Sequence, residues 1–115
     1  MMRFIVSALS QDQKGPVSHF TLAVSVFDSS NGLGIQNLNV GNFIVHDMTS
    51  GVPFSVVEVH TAGLPGFYRL LLKTDMTVNA GDYILAVVVT IQQRLAGHVS
   101  GGIEEGNTLV KVKVV

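Results

Sequence analysis

The chain has no cysteine, and the residues whose types and spacing are most informative about chemistry are its four histidines, eight acidic residues and hydroxyls. The histidines are His19, His46, His60 and His98. A zinc site draws its ligands to within about 2 Å of the ion and commonly takes them from closely spaced pairs. Here no two histidines stand closer than 14 positions. Strand histidines could still meet across a sheet, but we read these four as solvent-facing strand or loop residues. Asp28, Ser29, Ser30 and Asn31 offer oxygens in one stretch, and Asn79 with Asp82 in another. Neither holds the several carboxylates of a tight calcium site. Both read as turn chemistry, in which Asp and Asn bond their own backbone.

Glu104 and Glu105 are neighbours, read here as part of a hairpin loop, and Glu58 stands alone on a strand. None of these is placed like the facing carboxylates of acid–base hydrolysis. No Gly-x-Ser-x-Gly elbow occurs, and Ser7, Ser18, Ser25 and Ser55 have no adjacent base. Gly101-Gly102 is followed by Ile103 and Glu104, without the lysine of a phosphate-binding loop. The expectation is a protein with no catalytic, cofactor-binding or metal-binding residues. A pocket setting His19, His46 or His60 against a carboxylate would overturn it.

The stretch from Gln92 to Asn107 carries most of the remaining polar groups. It reads as a loop too long for a tight hairpin, and such loops are usually functional or disordered. Alternatively the strand continues through Arg94 and Leu95, and a protruding ribbon joins the last two strands. Arg94, His98, Glu104 and Glu105 are the candidate interaction residues of such an arm, which could clasp a neighbouring subunit. A glycine-rich, unstructured tip is the other reading.

With 115 residues the chain is expected to be one domain, spanning 1–115, and large enough to fold without disulfides. The lack of cysteine weighs against an oxidising compartment. Seven basic and eight acidic residues leave a net charge of −1, so no basic field exists to gather nucleic acid or an anionic membrane. Charged residues are only 13%, about half the usual share, against 47% apolar. Either another chain covers part of this surface, or the surface is neutral and rich in Ser, Thr, Asn and Gln. Met1–Leu9 is too short for a convincing signal peptide. The longest apolar run, Ile84–Val89, is of buried-strand length, far below a membrane span. The compartment is not legible, although a module of a longer chain would suit the cell surface.

Helical periodicity is nearly absent and period-two alternation is widespread. Strands are expected at Phe4–Leu9, His19–Asp28, Leu38–Val40, Asn42–Asp47, Phe54–His60, Phe67–Lys73, the Tyr83 segment and Leu109–Val115. Phe20, Leu22, Val24 and Val26 share one face, as do Tyr68, Leu70 and Leu72. Along the Tyr83 segment both faces are apolar: Tyr83, Leu85, Val87 and Val89 on one, Ile84, Ala86 and Val88 on the other. A strand of that kind is covered twice or lies at a subunit interface. Lys111 and Lys113 point outward, where they discourage edge-to-edge aggregation. Seven or eight short strands with regular turn signals give an all-β antiparallel sandwich.

Two segments carry a family resemblance. Val24-Ser25-Val26-Phe27-Asp28, a glycine turn, Leu38, Asn42-Phe43-Ile44-Val45 and the Ser50-Gly51 turn form the first. Ala80-Gly81-Asp82-Tyr83, with Leu85 and Val87, forms the second. Together they resemble bacterial immunoglobulin-like and fibronectin-like modules over about half the chain, and transthyretin-like sandwiches share the same motifs. The resemblance implies a tyrosine corner at Tyr83, with Leu85 where immunoglobulin domains place their second cysteine. It further implies a spacer, adhesion or assembly module, and it carries over no catalytic residue. The expected function is therefore a non-catalytic structural or protein–protein interaction module, self-associating or part of a larger assembly. The alternative is a carbohydrate or small-molecule binding module, for which Phe27 and Phe67 are the outward aromatics.

Overall fold

Alternating apolar and polar side chains pull each strand onto a shared core. In the computed structural model this yields, among the described residues, seven strands in two antiparallel sheets. Residues 4–11, 17–48, 54–93 and 102–115 are described, without the side chains of 17–18, 75–77, 92–93 and 102–104. The strands are β1 (Phe4–Leu9), β2 (Val17–Asp28), β3 (Phe43–Asp47), β4 (Ser55–Thr61), β5 (Phe67–Val78), β6 (Gly81–Gln93) and β7 (Gly102–Val114). One sheet has the order β1-β2-β5-β4 and the other β3-β6-β7. The expected all-β sandwich is what forms.

The core lies between the sheets. Leu22 opposes Leu70 and Val24 opposes Tyr68 across β2 and β5, and all four are buried. From the other sheet come Phe43, Val45, Leu85, Val87, Val89, Val110 and Val112, also buried. Each such side chain contributes roughly 1.5–3 kcal/mol on leaving water. Phe43 on β3 meets Tyr68 on β5 edge to face at 5.7 Å and so ties the two layers, while Phe20 on β2 meets Phe54, just ahead of β4, at 5.0 Å.

Several boundaries differ from those expected. Leu38–Val40 is no strand; Val40–Asn42 forms a 3-10 turn. Asparagine side chains win here because they bond the local backbone. Asn39 Oδ1 accepts from the Gly41 amide, Asn42 Oδ1 accepts from the Asn39 amide, and Asn42 Nδ2 donates to the Thr90 carbonyl. That last bond fixes the start of β3 beside β6. β5 runs on to Val78 because its inward phase continues through buried Thr74 and Val78.

The largest revision concerns Gln92–Asn107. Gln92 and Gln93 belong to β6, Gly102–Asn107 to β7, and the two strands pair from Gly81↔Val114 through Gln93↔Gly102. β3 pairs with β6 only over Leu85–Val89. Beyond it β6 and β7 stay paired as two strands as far as Gln93 and Gly102, while Arg94 and Leu95, through which the ribbon alternative ran, lie outside the described residues. Thirteen-residue strands at about 3.4 Å per residue reach ~44 Å, which accounts for the 50 Å long axis of the molecule.

Candidate interaction surface

Among the described residues the chemistry-bearing side chains do not converge. His19 faces outward on β2 opposite Lys73, and His46 faces outward on β3. His60 does approach a carboxylate: its Nε2 lies 3.8 Å from Glu58 Oε2. Glu58 is thus not alone, since strand alternation sets it beside His60 on the open face of β4. Both side chains are more than half exposed, and 3.8 Å is too long for a hydrogen bond. Among the described residues no three His, Asp or Glu side chains gather as a metal site would require.

Asp28 serves the turn after β2. Its Oδ1 accepts from the Ser30 hydroxyl at 2.6 Å and the Ser30 amide at 2.8 Å. These two bonds, the hydroxyl's first, hold its carboxyl below the usual carboxylate range. Asn31 likewise accepts from the Leu33 amide at 2.9 Å. Against this turn lies an open depression of about 430 Å³ lined by residues that include Asp28, Asn31 and Leu33, and beyond Gln36 and Asn37 a second cavity of about 220 Å³ reaches Thr61 and Tyr68. The second is smaller than the roughly 300 Å³ at which small-molecule sites begin, while the first exceeds that size but lies wide open to solvent.

Two tyrosines fasten the ends of strands by their hydroxyls. Tyr83 Oη donates to the Asn79 carbonyl at 2.8 Å, and Leu85, two residues on, is fully buried. Tyr68 is buried and donates to the Ile35 carbonyl at 2.5 Å, while the Leu38 amide reaches its oxygen at 3.4 Å. The inward face of Tyr68 was legible from alternation. Its distant partners, 30 and 33 residues away, were not.

Of the candidate arm residues, Arg94 and His98 lie outside the described residues. Glu104 and Glu105 sit in β7, not in a hairpin loop, with backbones opposite Ile91 and Thr90. Glu105 is exposed. The outward aromatics Phe27 and Phe67 meet edge to face at 5.4 Å, so each ring partly covers the other.

What does converge is apolar. On the outer face of the three-stranded sheet, cross-strand register builds three adjacent rows. The first holds Met48, Ile84 and Lys111, the second His46, Ala86 and Leu109, and the third Ile44, Val88 and Asn107. Exposure is 65% at Met48, 64% at Leu109, and 44% at both Ile44 and Ile84. Ala86 and Val88 lie half-buried among them. Charge is confined to the rim. Lys111 Nζ reaches Asp82 Oδ2 at 3.5 Å, with both groups exposed. On the opposite sheet Ile5 pairs with Phe27, which meets Phe67, in one apolar row at a corner, while Leu9 on β1 and Val57 at a bulge in β4 lie apart. Small or polar Ser7, Thr21, Ala23 and Ser25 lie between them. The two-sided apolar pattern of β6 was visible in the sequence. The contributions of Ile44, Met48 and Leu109 were not singled out, because the register that gathers them is a property of the sheet.

No protein-family model, curated protein or solved structure matches the chain.

Proposed function

We propose that this is a non-catalytic structural module that works by holding another protein chain, a second copy of itself, against the outer face of the β3-β6-β7 sheet. The observation that carries this reading is the contiguous apolar surface of Ile44, Met48, Ile84 and Leu109, with charge only at its margin. Contiguous apolar surface of this kind, rimmed by polar groups, is the usual mark of a protein contact. The low share of charge in the whole chain, 13%, fits a surface that is partly covered.

The immunoglobulin-like reading of the fold has its own support. A four-stranded β1-β2-β5-β4 sheet over a three-stranded β3-β6-β7 sheet is the arrangement of constant-type immunoglobulin domains. A tyrosine near the start of the sixth strand, bonded to a backbone carbonyl four residues upstream, is their tyrosine corner. Such modules serve as spacers and in assemblies, in keeping with the proposed role.

Sedimentation velocity from micromolar to hundreds of micromolar concentration tests the function. The expected result is reversible growth beyond the 12.3 kDa of one chain. Leu109→Lys, at a solvent-facing strand position, should return it to monomer with an unchanged circular-dichroism spectrum. A wild-type chain that stays monomeric throughout overturns the reading.

A further inference from the structure

We infer that the second copy is related by a two-fold axis lying in the contact plane, perpendicular to β6, over the His46–Ala86–Leu109 row. This deepens the reading above and rests on it. The residues themselves select the axis. Outward positions along β7 run Glu105, Asn107, Leu109, Lys111, Lys113. Reversing that order about Leu109 sets Glu105 against Lys113 of the other copy, and Asn107 against Lys111. On β6 the same operation sets Ile84 against Val88 and Asp82 against Thr90. On the third strand it sets Met48 against Ile44. Every apolar residue outside the central row meets an apolar residue, and Lys113 meets an opposite charge.

Three other placements fail on charge or on polarity. An axis over the Ile84 row stacks Lys111 on its own copy. An axis over the Val88 row sets Leu109 on Glu105. An axis running along β6 stacks Asp82 on Asp82 and Leu109 on His46. Like charges brought together suppress an arrangement, so these alternatives are disfavoured by the same residues that favour the first. The central row is suited to an axis. Ala86 is small enough for two sheets to approach to about 10 Å, the usual face-to-face spacing. Two copies of His46 can share a hydrogen bond, one ring donating and the other accepting. Sheets packed in this way cross at about 30°, and the long Lys113 stem spans the offset that this creates away from the axis.

The size of the surface sets the strength. From the Asp82 row to the Thr90 row is about 27 Å, and three strands with their side chains span about 14 Å. The footprint, about 400 Å², is half the roughly 800 Å² per partner of a standard stable complex. The arrangement therefore predicts a reversible dimer rather than a permanent one. An isologous contact of this kind also closes on itself and cannot grow into a fibre.

Cross-linking and charge reversal test the axis directly. The chain has no cysteine, so introduced thiols are unique. Glu105→Cys and Lys113→Cys chains are mixed and treated with a short bifunctional maleimide. The mixture should give a covalent dimer, whereas either variant alone should not, because like positions are about 27 Å apart across the axis. Lys113→Glu and Glu105→Lys should each weaken association at least tenfold at low salt, and the double variant should recover to within about threefold. Suppose the wild-type dimer forms and Leu109→Lys disperses it, yet the mixture does not cross-link and the double variant does not recover. The axis is then wrong while the face is right. A wild-type chain that never dimerises removes both.

Discussion

Two tyrosine hydroxyls show how differently one functional group acts at different depths. Tyr68 is buried, and its hydroxyl joins Ile35 and Leu38 to the core side of β5. Tyr83 is half-buried and closes a local corner by bonding Asn79. Removing the Tyr68 hydroxyl strands the Ile35 carbonyl next to the core. Removing that of Tyr83 hands the Asn79 carbonyl to water. An unsatisfied buried group costs about 1–3 kcal/mol, and a typical exchangeable bond about 0.5–1.5 kcal/mol. Tyr68→Phe should therefore destabilise the fold by about 1–3 kcal/mol and Tyr83→Phe by less, read from urea midpoints at constant slope. Equal losses would mean that the corner at Tyr83 is as tightly sealed as the core. In the sequence both tyrosines head an apolar strand face, Tyr68 with Leu70 and Leu72 and Tyr83 with Leu85 and Val87. Only the path of the 35–38 segment separates them, and that path depends on residues far away in the chain.

At the level of the strands, alternation revealed which side chains face inward and misjudged where several strands stop. Phe20, Leu22, Val24, Leu70, Leu72, Leu85 and Val87 face the core as the period-two pattern requires. The ends depend on partners. β7 begins at Gly102 because β6 offers a continuous edge, even though the first half of β7 is rich in glycine and acid. Those residues are poor strand formers, so their own preferences pointed to a loop. Gly106 has a further role that no local pattern announces. A Cβ there would lie 2.8 Å from Val6 Cγ2 and 2.9 Å from Phe4 Cβ, so β1 crosses β7 at a point where only hydrogen fits. Gly106→Ala must push β1 aside and should cost about 1–3 kcal/mol by overpacking. In a flexible loop the same change would be neutral or mildly stabilising. Hydrogen exchange would localise the effect: β1 amides should lose protection in the variant before those of β4.

For the whole molecule, the shortage of charge left two explanations open, and the two outer faces differ in the side chains they expose. Ser7, Thr21, Ala23 and Ser25 make much of the four-stranded face small or neutral, as a free surface can be. The three-stranded face instead exposes Ile44, Met48, Ile84 and Leu109 in neighbouring rows. If that face joins two folded copies, stability becomes a function of concentration, because association binds the native state and not the unfolded chain. Above the dissociation constant, each tenfold rise in concentration adds about 0.7 kcal/mol per chain, half of the 1.4 kcal/mol that a factor of ten represents. For a domain of this size that is a rise in Tm of about 2–4 °C per decade. Leu109→Lys should flatten the dependence without lowering the Tm reached at high dilution, since the side chain is solvent-facing in the single copy. A Tm independent of concentration in the wild-type chain would mean that the apolar face meets no second folded copy. A variant that melts lower even at high dilution would mean that Leu109 supports the fold of the single chain.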